Sequence, residues 1–363
     1  MTEPVRIGCI GTSWWVDMAH LPIFAADNRV NLVAICGRNR ERAQEIATKY
    51  EIPEVFTSYQ AMIESGKLDA VVISSPDDEH YAMTMAALDA GLHILCEKPL
   101  AGNAVDAQAM YEKAEERGVT HMTFYTYRWM PQFRYLHELL AEGAVGRVHH
   151  CQFRFLMGFA RNANYRWRFD AKRANGVLGD SGSHMFDLAR HLVGDIAQVA
   201  AQLGAYVPRE SPTGQPLEPA NDAATILLKF ADGAQGVVQV SATARLGGGM
   251  LEQQVTIHGE NGSVIADFSS TQGPKLQLAK GDDPMQPIPI PEQYFAGIDR
   301  SQPFITQFAS MFIHQPIGCH LFTDAILEGK PVTPSFYDGW KAQQAIDAAL
   351  DADRTERWVA LDR

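Results

Sequence analysis

The sequence predicts a two-domain chain, in which an α/β domain with a doubly wound parallel sheet is followed by an α+β domain with a large, mostly antiparallel open sheet. Up to about residue 125, short apolar runs alternate with helical segments. Beyond about residue 145, strand-like runs follow one another with little helix between them. Strands that are apolar on both faces and alternate with helices are typical of a parallel sheet covered on both sides. We therefore place the two domains at residues 1–125 and 126–363.

Each predicted strand of the first domain is a short β-branched or apolar run. The runs are VRIGCIG, NLVAICG, DAVVISS, HILCEKP and THMTFY, and helical segments such as RERAQEIATKY separate them. The runs of the second domain are VHHCQFRFLMGF, AQVAAQLGAYV, AATILLKF, AQGVVQVSATA, QQVTIHG and SVIADF. Ala-Asp-Gly at 231–233 and Glu-Asn-Gly at 260–262 predict hairpin turns, because glycine supplies the positive φ that such turns need. The second sheet is therefore expected to be mostly antiparallel.

The composition is that of a globular protein and argues against several classes of partner. With 31 Lys plus Arg against 43 Asp plus Glu, the net charge of −12 argues against general binding to nucleic acid or anionic membranes. The five cysteines have no spacing typical of a zinc site, so we expect reduced thiols in the core. The chain enters a predicted strand almost at once and has no apolar run of about 18 residues, which predicts a cytoplasmic protein without a signal peptide or membrane span.

The stretch IGCIGTSWWVDMAHLP (7–22) runs from a predicted strand through a glycine turn into a predicted helix. In a dinucleotide-binding turn, three glycines allow the tight turn, the approach of the pyrophosphate, and the packing of helix against strand. Gly11 occupies the first place, while Ser13 and Val16 occupy the other two. Serine is small enough to keep the approach to the helix N-terminus open for a phosphate. The stretch is equally compatible with an ordinary strand-to-helix turn.

The second predicted strand ends in CGRNRER (36–42), where an NAD site is expected to carry an acid that binds the ribose. No acid is present there. Gly37 leaves space, and Arg38, with or without Arg40, could pair with a 2′-phosphate through its planar fork. The pattern therefore favours NADP over NAD as the cofactor. For Arg40, a place at the solvated start of a helix explains the residue nearly as well.

One long stretch, DAVVISSPDDEHYAMTMAALDAGLHILCEKPLAG (69–102), resembles the core of the Gfo/Idh/MocA oxidoreductase family, which is named for glucose-fructose oxidoreductase and inositol dehydrogenase. The resemblance extends through YRWMPQF (127–133), NGVLGDSGSHMFDLARHLVG (175–194) and GENGSVIADF (259–268). It implies a Rossmann domain that binds a nicotinamide cofactor, and oxidation or reduction of sugars, polyols or related carbonyl compounds. It also implies that Pro99 follows a cis peptide bond.

The Glu97-Lys98 pair ends the predicted strand HILCEKP. Burial of a lysine is costly unless the amine is paired or has a function. Ligands bind at the carboxyl ends of strands in parallel sheets, so we expect Lys98 to hydrogen-bond the reacting oxygen and to stabilise its developing charge. Glu97 is expected to position the lysine or the cofactor ribose.

The stretch GDSGSHMFDLARH predicts a helix that carries Asp180, His184, Asp187 and His191 on one face. In the resembled family the Asp-x-x-x-His pattern supplies residues that bind substrate and transfer protons. The resemblance therefore implies these roles for Asp180 and His184. A histidine is the natural base because its pKa lies near the working pH. For Asp187 and His191, burial with local hydrogen bonds is the preferred interpretation. We expect no metal, because no third ligand is recognisable.

The other residues assigned to the cofactor lie beside these motifs. They are Thr12, Ser13, Trp14, Trp15, Ser75, Pro76, His80, Trp167 and Arg168. Tyr127 is assigned to the substrate, although packing between the domains explains Tyr127 and Arg128 equally well. Helix packing is an alternative explanation for Trp14 and Trp15. For Trp167 and Arg168, the alternative is a core tryptophan beside a surface salt bridge.

The predicted function is that of an NAD(P)-dependent dehydrogenase or reductase, which transfers a hydride between the nicotinamide and a hydroxyl or carbonyl carbon of a sugar, polyol or related small molecule. Two alternatives remain. One is a redox-assisted glycosidase that holds NAD tightly, and the other is a nucleotide-sensing regulator without turnover. An open sheet with an uncovered face usually pairs with a second copy, so we expect a homodimer or a homotetramer.

Overall fold

The computed structural model describes residues 3–215 and 217–361. Within it the chain forms two compact units. The first unit comprises the residues up to Tyr125 together with Ala296–Trp340, and the second comprises Thr126–Phe295 together with the residues from Lys341 onward. Each unit has its own β-sheet.

The helices are distributed over the two units. In chain order they are α1 (Leu21–Ala26), α2 (Arg40–Lys49), α3 (Tyr59–Glu64), α4 (His80–Asp89), α5 (Ala104–Arg117), α6 (Pro131–Ala141), α7 (Ser183–Leu192), α8 (Phe304–His314), α9 (Cys319–Glu328) and α10 (Phe336–Thr355). Two π-helical turns, Val16–His20 and Leu178–Gly182, lead directly into α1 and α7. No helix within the described residues combines the length and apolar character needed to cross a bilayer.

Several helices of the first unit begin at a residue whose side chain accepts a hydrogen bond from a backbone N–H of the first turn. Asn39 caps α2, Ser58 caps α3 and Asn103 caps α5 in this way. These residue types are preferred at such positions because the first N–H groups of a helix have no partner within the helix. At its other end α5 stops at Gly118, which has the left-handed conformation typical of a helix C-terminus.

The sheet of the first unit is parallel, with the order β3-β2-β1-β4-β5-β6. Its strands are β1 (Val5–Ile10), β2 (Val30–Cys36), β3 (Glu54–Phe56), β4 (Ala70–Ile73), β5 (His93–Cys96) and β6 (His121–Thr123). The order reverses between β1 and β4, and ligands bind beside such a reversal in doubly wound sheets. All residues of β4 are buried, because helices cover both faces of the sheet.

The sheet of the second unit has the order β14-β13-β12-β11-β7-β10-β9-β8-β15. Its strands are β7 (Val148–Met157), β8 (Ile196–Gly204), β9 (Ala223–Phe230), β10 (Gln235–Ser241), β11 (Leu251–Gly259), β12 (Gly262–Ser269), β13 (Gly273–Lys280), β14 (Gln286–Ile288) and β15 (Val359–Ala360). The pair β7 and β10 is parallel and the other pairs are antiparallel. The predicted fold class is therefore confirmed.

Burial alternates along the strands of the second sheet. In β9, Ile226 and Leu228 are buried while Thr225 and Lys229 are exposed, and Leu227 on the same outer side is 46% exposed. This alternation is typical of an antiparallel sheet with one covered face. Both predicted hairpin turns are present, since they join β9 to β10 and β11 to β12.

The segment Ala296–Trp340 is placed differently from the sequence-based division, which put every residue after 125 into the second domain. In the structure this segment belongs to the first unit. Phe308 lies 5.9 Å from Trp15 between ring centroids, and Phe312 lies 5.7 Å from Phe124. Aromatic contacts between such distant parts of the chain leave no local signal in the sequence. The domain limits 1–125 and 126–363 stay predictions about folding units.

Gly11 provides a test of the backbone at the end of β1. Its φ is +134°, and a Cβ there would lie 2.3 Å from the Ser74 carbonyl oxygen. We expect Gly11→Ala to destabilise the protein by about 1–3 kcal/mol, because it combines backbone strain with a steric clash. Gly102→Ala is the matched control, since a Cβ at Gly102 meets no atom within 4 Å. Thermal unfolding followed by circular dichroism measures both, and equal melting temperatures for the two variants would contradict the expectation.

Candidate active site

The carboxyl ends of three neighbouring strands of the first unit bring the predicted motifs together. Gly11 follows β1, Ser75 follows β4, and Lys98 follows β5. In the sheet β4 lies between β1 and β5 and pairs with both. The parallel topology therefore places the three motifs at one edge, where ligands bind in sheets of this type.

The turn after β1 fits the backbone of a dinucleotide. The Gly11 N–H donates to the Cys36 carbonyl at 2.9 Å, so the turn is fixed to the end of β2. A side chain on Gly11 would collide with the Ser74 carbonyl, which explains why the position requires glycine. The Ser13 hydroxyl accepts a hydrogen bond from the Val16 N–H at 3.3 Å and so caps the following helical segment. Trp14 is 63% exposed.

The end of β2 carries two exposed arginines and no carboxylate. A Cβ at Gly37 would lie 2.4 Å from Thr12 Cγ2, so the close approach of Thr12 accounts for this glycine, in addition to the space expected for a cofactor. Arg38 and Arg40 are exposed. The nearby carboxylate of Asp17 accepts hydrogen bonds from Arg42 at 2.9 Å and from Lys49 at 2.6 Å, so its charge is already compensated.

Glu97 is a buried carboxylate at the end of β5. Its Oε1 accepts hydrogen bonds from Trp15 Nε1 at 2.5 Å and from His20 Nε2 at 2.7 Å, and its Oε2 accepts one from the Lys98 N–H at 3.2 Å. Burial alone would raise the pKa of Glu97, but His20, Lys98 and Trp15 favour the ionised form and lower it. The ring of His20 is fully buried and lies 4.7 Å from that of Phe124. The carboxylate is thus a fixed negative charge beside Lys98.

The predicted cis peptide bond before Pro99 is present. The ring of His80, the first residue of α4, lies beside it. His80 Nδ1 is 2.9 Å from the Pro99 carbonyl oxygen, and Nε2 is 3.1 Å from the Ser75 carbonyl oxygen. Pro76 precedes the short helical turn Asp77–Glu79 that leads into α4.

In the second unit, Asp180 and His184 lie in one helical segment, as predicted. The start of this segment is fixed by Asn221, whose carbonyl accepts from the Val177 N–H and whose Oδ1 accepts from the Leu178 N–H, both at 2.9 Å. Gly176 has a φ of +64°, and a Cβ there would lie 2.2 Å from the Asn221 carbonyl oxygen. Sequence analysis missed Asn221, because its partner Leu178 lies 43 positions earlier in the chain.

Five of the predicted site residues are neighbours within the second unit. Arg168 Nε donates to Asp180 Oδ1 at 3.2 Å. The rings of Tyr127 and His184 meet edge to face, with centroids 4.5 Å apart. Burial, and secondarily the Asp180 carboxylate, raises the pKa of Tyr127, so its hydroxyl stays protonated at neutral pH. Trp167 also lies here, and its ring is 4.4 Å from Arg168 Cζ.

Asp187 is buried and hydrogen-bonded, as predicted, and one partner lies far away in the sequence. Asp187 forms a bidentate ion pair with Arg128, which lies 59 positions away, with distances of 2.7 Å to Nε and 2.5 Å to Nη2. Both side chains are buried. The pair joins the residue after Tyr127 to the helix that carries His184. His191, one turn further along α7, stacks on His137 with ring centroids 4.3 Å apart.

Other titratable side chains have structural partners. His320 Nδ1 is 3.2 Å from Asp27 Oδ2. All five cysteines are buried and carry free thiols. Within residues 3–215 and 217–361 there is no group of three or more His, Cys, Asp and Glu side chains that could hold a metal ion.

The comparisons with known proteins agree with this fold. The family model described as "Oxidoreductase family, NAD-binding Rossmann fold" matches residues 5–125, and the model described as "GFO/IDH/MocA C-terminal domain" matches residues 133–265. A parallel nucleotide-binding sheet followed by this second domain defines a nicotinamide-dependent oxidoreductase. The chain belongs to the Gfo/Idh/MocA family, and its predicted class as a dehydrogenase is confirmed.

Individual relatives cover nearly the whole chain. Levoglucosan dehydrogenase from Pseudarthrobacter phenanthrenivorans is 29% identical over 90% of this chain and 88% of its own length. Inositol 2-dehydrogenase from Rhizobium meliloti is 26% identical over 98% of this chain and 99% of its own. A solved structure of levoglucosan dehydrogenase in complex with NADH is 28% identical, with a TM-score of 0.89 over 99% of this chain and all of that chain.

The buried ion pair gives a prediction for the second unit. We expect Asp187→Asn to lower the free energy of unfolding by about 3–5 kcal/mol, because it removes the charge that neutralises the buried Arg128 guanidinium. Asp195→Asn is the control, since Asp195 is an exposed carboxylate paired with Arg190 at 2.8 Å. Chemical denaturation measures both variants. A loss for Asp187→Asn no larger than that for the control would contradict this account of the pair.

Proposed function

We propose that the protein oxidises a hydroxyl-bearing carbon of a sugar, polyol or related small molecule, or reduces the corresponding carbonyl, with Lys98, Asp180 and His184 as the reacting groups. The observation that carries the proposal is the arrangement at the end of β5. There Lys98 is the next residue after Glu97, a buried and ionised carboxylate that is held in place by hydrogen bonds with Trp15 and His20. The names of the relatives, which are sugar and polyol dehydrogenases, support the substrate class.

A bound nicotinamide cofactor supplies the hydride acceptor in the oxidative direction and the hydride donor in the reductive one. Most of the residues proposed to hold it lie near the strand ends of the first unit. Trp167 and Arg168 belong to the Trp167–Phe169 turn of the second unit. The full set is Gly11, Thr12, Ser13, Trp14, Trp15, Gly37, Arg38, Ser75, Pro76, His80, Glu97, Lys98, Trp167 and Arg168. The turn supports this assignment because Gly11 lets the chain pass close to the Ser74 carbonyl at the sheet edge and lead into a helical segment, whose N-terminus favours a phosphate.

We propose a preference for NADP over NAD. Support comes from the residues after β2, where Gly37-Arg38-Asn39-Arg40 contains no carboxylate that would bind a ribose 2′-hydroxyl or repel a 2′-phosphate. Arg38 is exposed, so its guanidinium is accessible to a phosphate. Relatives of both kinds exist, since a scyllo-inositol 2-dehydrogenase (NADP(+)) is 27% identical, and the solved complex of levoglucosan dehydrogenase contains NADH.

The proposed chemistry assigns one task to each side chain. The Lys98 amine hydrogen-bonds the reacting oxygen and stabilises the negative charge that develops there. His184 takes the hydroxyl proton during oxidation and returns it during reduction. Asp180 orients His184 or binds a second substrate hydroxyl, and Tyr127, whose hydroxyl stays protonated, can donate a hydrogen bond to the substrate.

Neither alternative function has a supporting observation among the described residues. A redox-assisted glycosidase and a nucleotide-sensing regulator would share this fold. A homodimer or homotetramer and a cytoplasmic location stay predictions.

Replacement of Lys98 tests the role of its amine. We expect Lys98→Ala to lower kcat by about 100-fold or more, because the reacting oxygen loses the group that stabilises its charge. The measurement is nicotinamide absorbance with a panel of sugars and polyols that includes levoglucosan and myo-inositol. Lys67→Ala is the control, since Lys67 is exposed and paired with Glu54. Unchanged turnover in Lys98→Ala, with cofactor binding intact by fluorescence, would remove Lys98 from the mechanism.

Replacement of Arg38 tests the cofactor preference. We expect Arg38→Ala to raise the KM for NADP by about tenfold, the effect of losing one charge-assisted contact to a phosphate, and to leave the KM for NAD unchanged. Arg117→Ala is the control, since Arg117 is a surface arginine at the end of α5. Equal effects of Arg38→Ala on the two cofactors would sink the NADP proposal.

A further inference from the structure

The fully buried ring of His80 lies between two backbone carbonyl groups. Nδ1 is 2.9 Å from the Pro99 oxygen and Nε2 is 3.1 Å from the Ser75 oxygen. A carbonyl oxygen can only accept a hydrogen bond, and a backbone carbonyl cannot exchange its oxygen for a donor as a flipped amide side chain can. Both ring nitrogens must therefore donate if both contacts are hydrogen bonds.

The protonation state follows from this geometry. A neutral imidazole has one N–H and one lone pair, so one of the two carbonyl oxygens would face a lone pair. The imidazolium carries two N–H donors and satisfies both oxygens. A buried lone pair against a carbonyl oxygen loses a hydrogen bond and adds repulsion, so the geometry favours the charged ring.

The groups around the ring also favour its charge. Burial disfavours the charged form, but the Cys96 side chain, the Asp77 carboxylate and the Pro99 carbonyl favour it, and the net effect raises the pKa of His80 to about 10. Cys96 ends β5, and Asp77 is a buried residue of the turn before α4.

The two carbonyl groups belong to the two loops that follow β4 and β5. The ladder between these strands extends to the hydrogen bond from the Glu97 N–H to the Ile73 carbonyl, at 2.9 Å. Beyond that bond the chain continues as Ser75-Pro76 on one side and Lys98-Pro99 on the other. The ring of His80 bridges the two loops at this point.

We propose that His80 is a positioning residue, an imidazolium that stays protonated at neutral pH and links the loop carrying Lys98 to the loop carrying Ser75. The charged ring fixes the backbone of the loop that carries the Lys98 side chain. The positioning role rests on the function proposed for Lys98, whereas the charge of the ring does not depend on that function.

The charge is tested by nitrogen NMR of the full-length protein labelled with 15N-histidine. At about pH 8.5 an ordinary histidine, with a pKa near 6.5, is neutral. We expect one histidine to retain protons on both ring nitrogens at that pH, and its signals to be absent from His80→Gln. A neutral single tautomer for His80 under these conditions would overturn the proposal.

Stability provides a second measurement of the charge. Because the folded pKa of His80 lies above its unfolded value, the stabilisation is complete below about pH 6.5 and declines as the pH rises toward 10. The difference in melting temperature between wild type and His80→Gln should therefore narrow steadily over this range. A difference that stays constant between pH 6.5 and about pH 9 would contradict a charged ring.

The positioning role is tested by kinetics. We expect His80→Gln, which has no charge and a single donor nitrogen in place of two, to lower kcat by about tenfold with little change in the KM of the substrate. His121→Gln is the matched control, because His121 is a buried histidine of the same unit that contacts Glu115 and the Phe336 N–H. Its kcat should not change.

The outcomes separate the two proposals. If NMR detects two ring N–H groups on His80 but His80→Gln leaves kcat unchanged, the positioning role is refuted. The charged state of the ring would then still be supported. An unchanged kcat in Lys98→Ala would refute the proposed function, while the NMR result for His80 would stand by itself.

Discussion

The buried carboxylate of Glu97 is the constraint on which the candidate site of the first unit depends. An ionised group in the interior is costly unless opposite charges or hydrogen-bond donors surround it. Trp15 and His20 supply two donors, and both lie on the helical segment that follows the Gly11 turn. The requirement to satisfy one carboxylate therefore fixes that segment against the end of β5. Turn, helix and Lys98 are positioned together.

The second unit uses a similar arrangement for its own site residues. The buried pair of Arg128 and Asp187 contributes little net stability compared with an apolar pair, because both charges lose their hydration. Its geometric effect is larger, since the bidentate contact fixes the relative position of the residue after Tyr127 and the helix of His184. Asn221 fixes the start of the same helical segment. The edge-to-face contact of Tyr127 and His184 follows from these restraints.

Local sequence pattern was sufficient to predict most of the fold and the motifs, because apolar runs and the turn residues between them can be recognised from consecutive residues. The strands β3, β13, β14 and β15 were missed. Three of them have only two or three residues, which is too short a pattern, and β13 begins with Gly-Pro, which are depleted in strands. Contacts between distant positions were not predictable. The partner of Asp187, the cap provided by Asn221 and the packing of Ala296–Trp340 all depend on tertiary proximity, which a single sequence does not encode locally. The family resemblance supplied the proposed roles of Asp180 and His184, which helical spacing alone left open.

The most direct test of the account is the fate of hydrogen from the reacting carbon. A compound of the sugar and polyol panel, deuterated at the carbon that is oxidised, is incubated with the enzyme and NADP or NAD, and the reduced cofactor is analysed by mass spectrometry. The account predicts that one deuterium per turnover appears on the nicotinamide and that a primary isotope effect slows the chemical step. Loss of the label to water, or no oxidation of any compound in the panel with either cofactor, would contradict it.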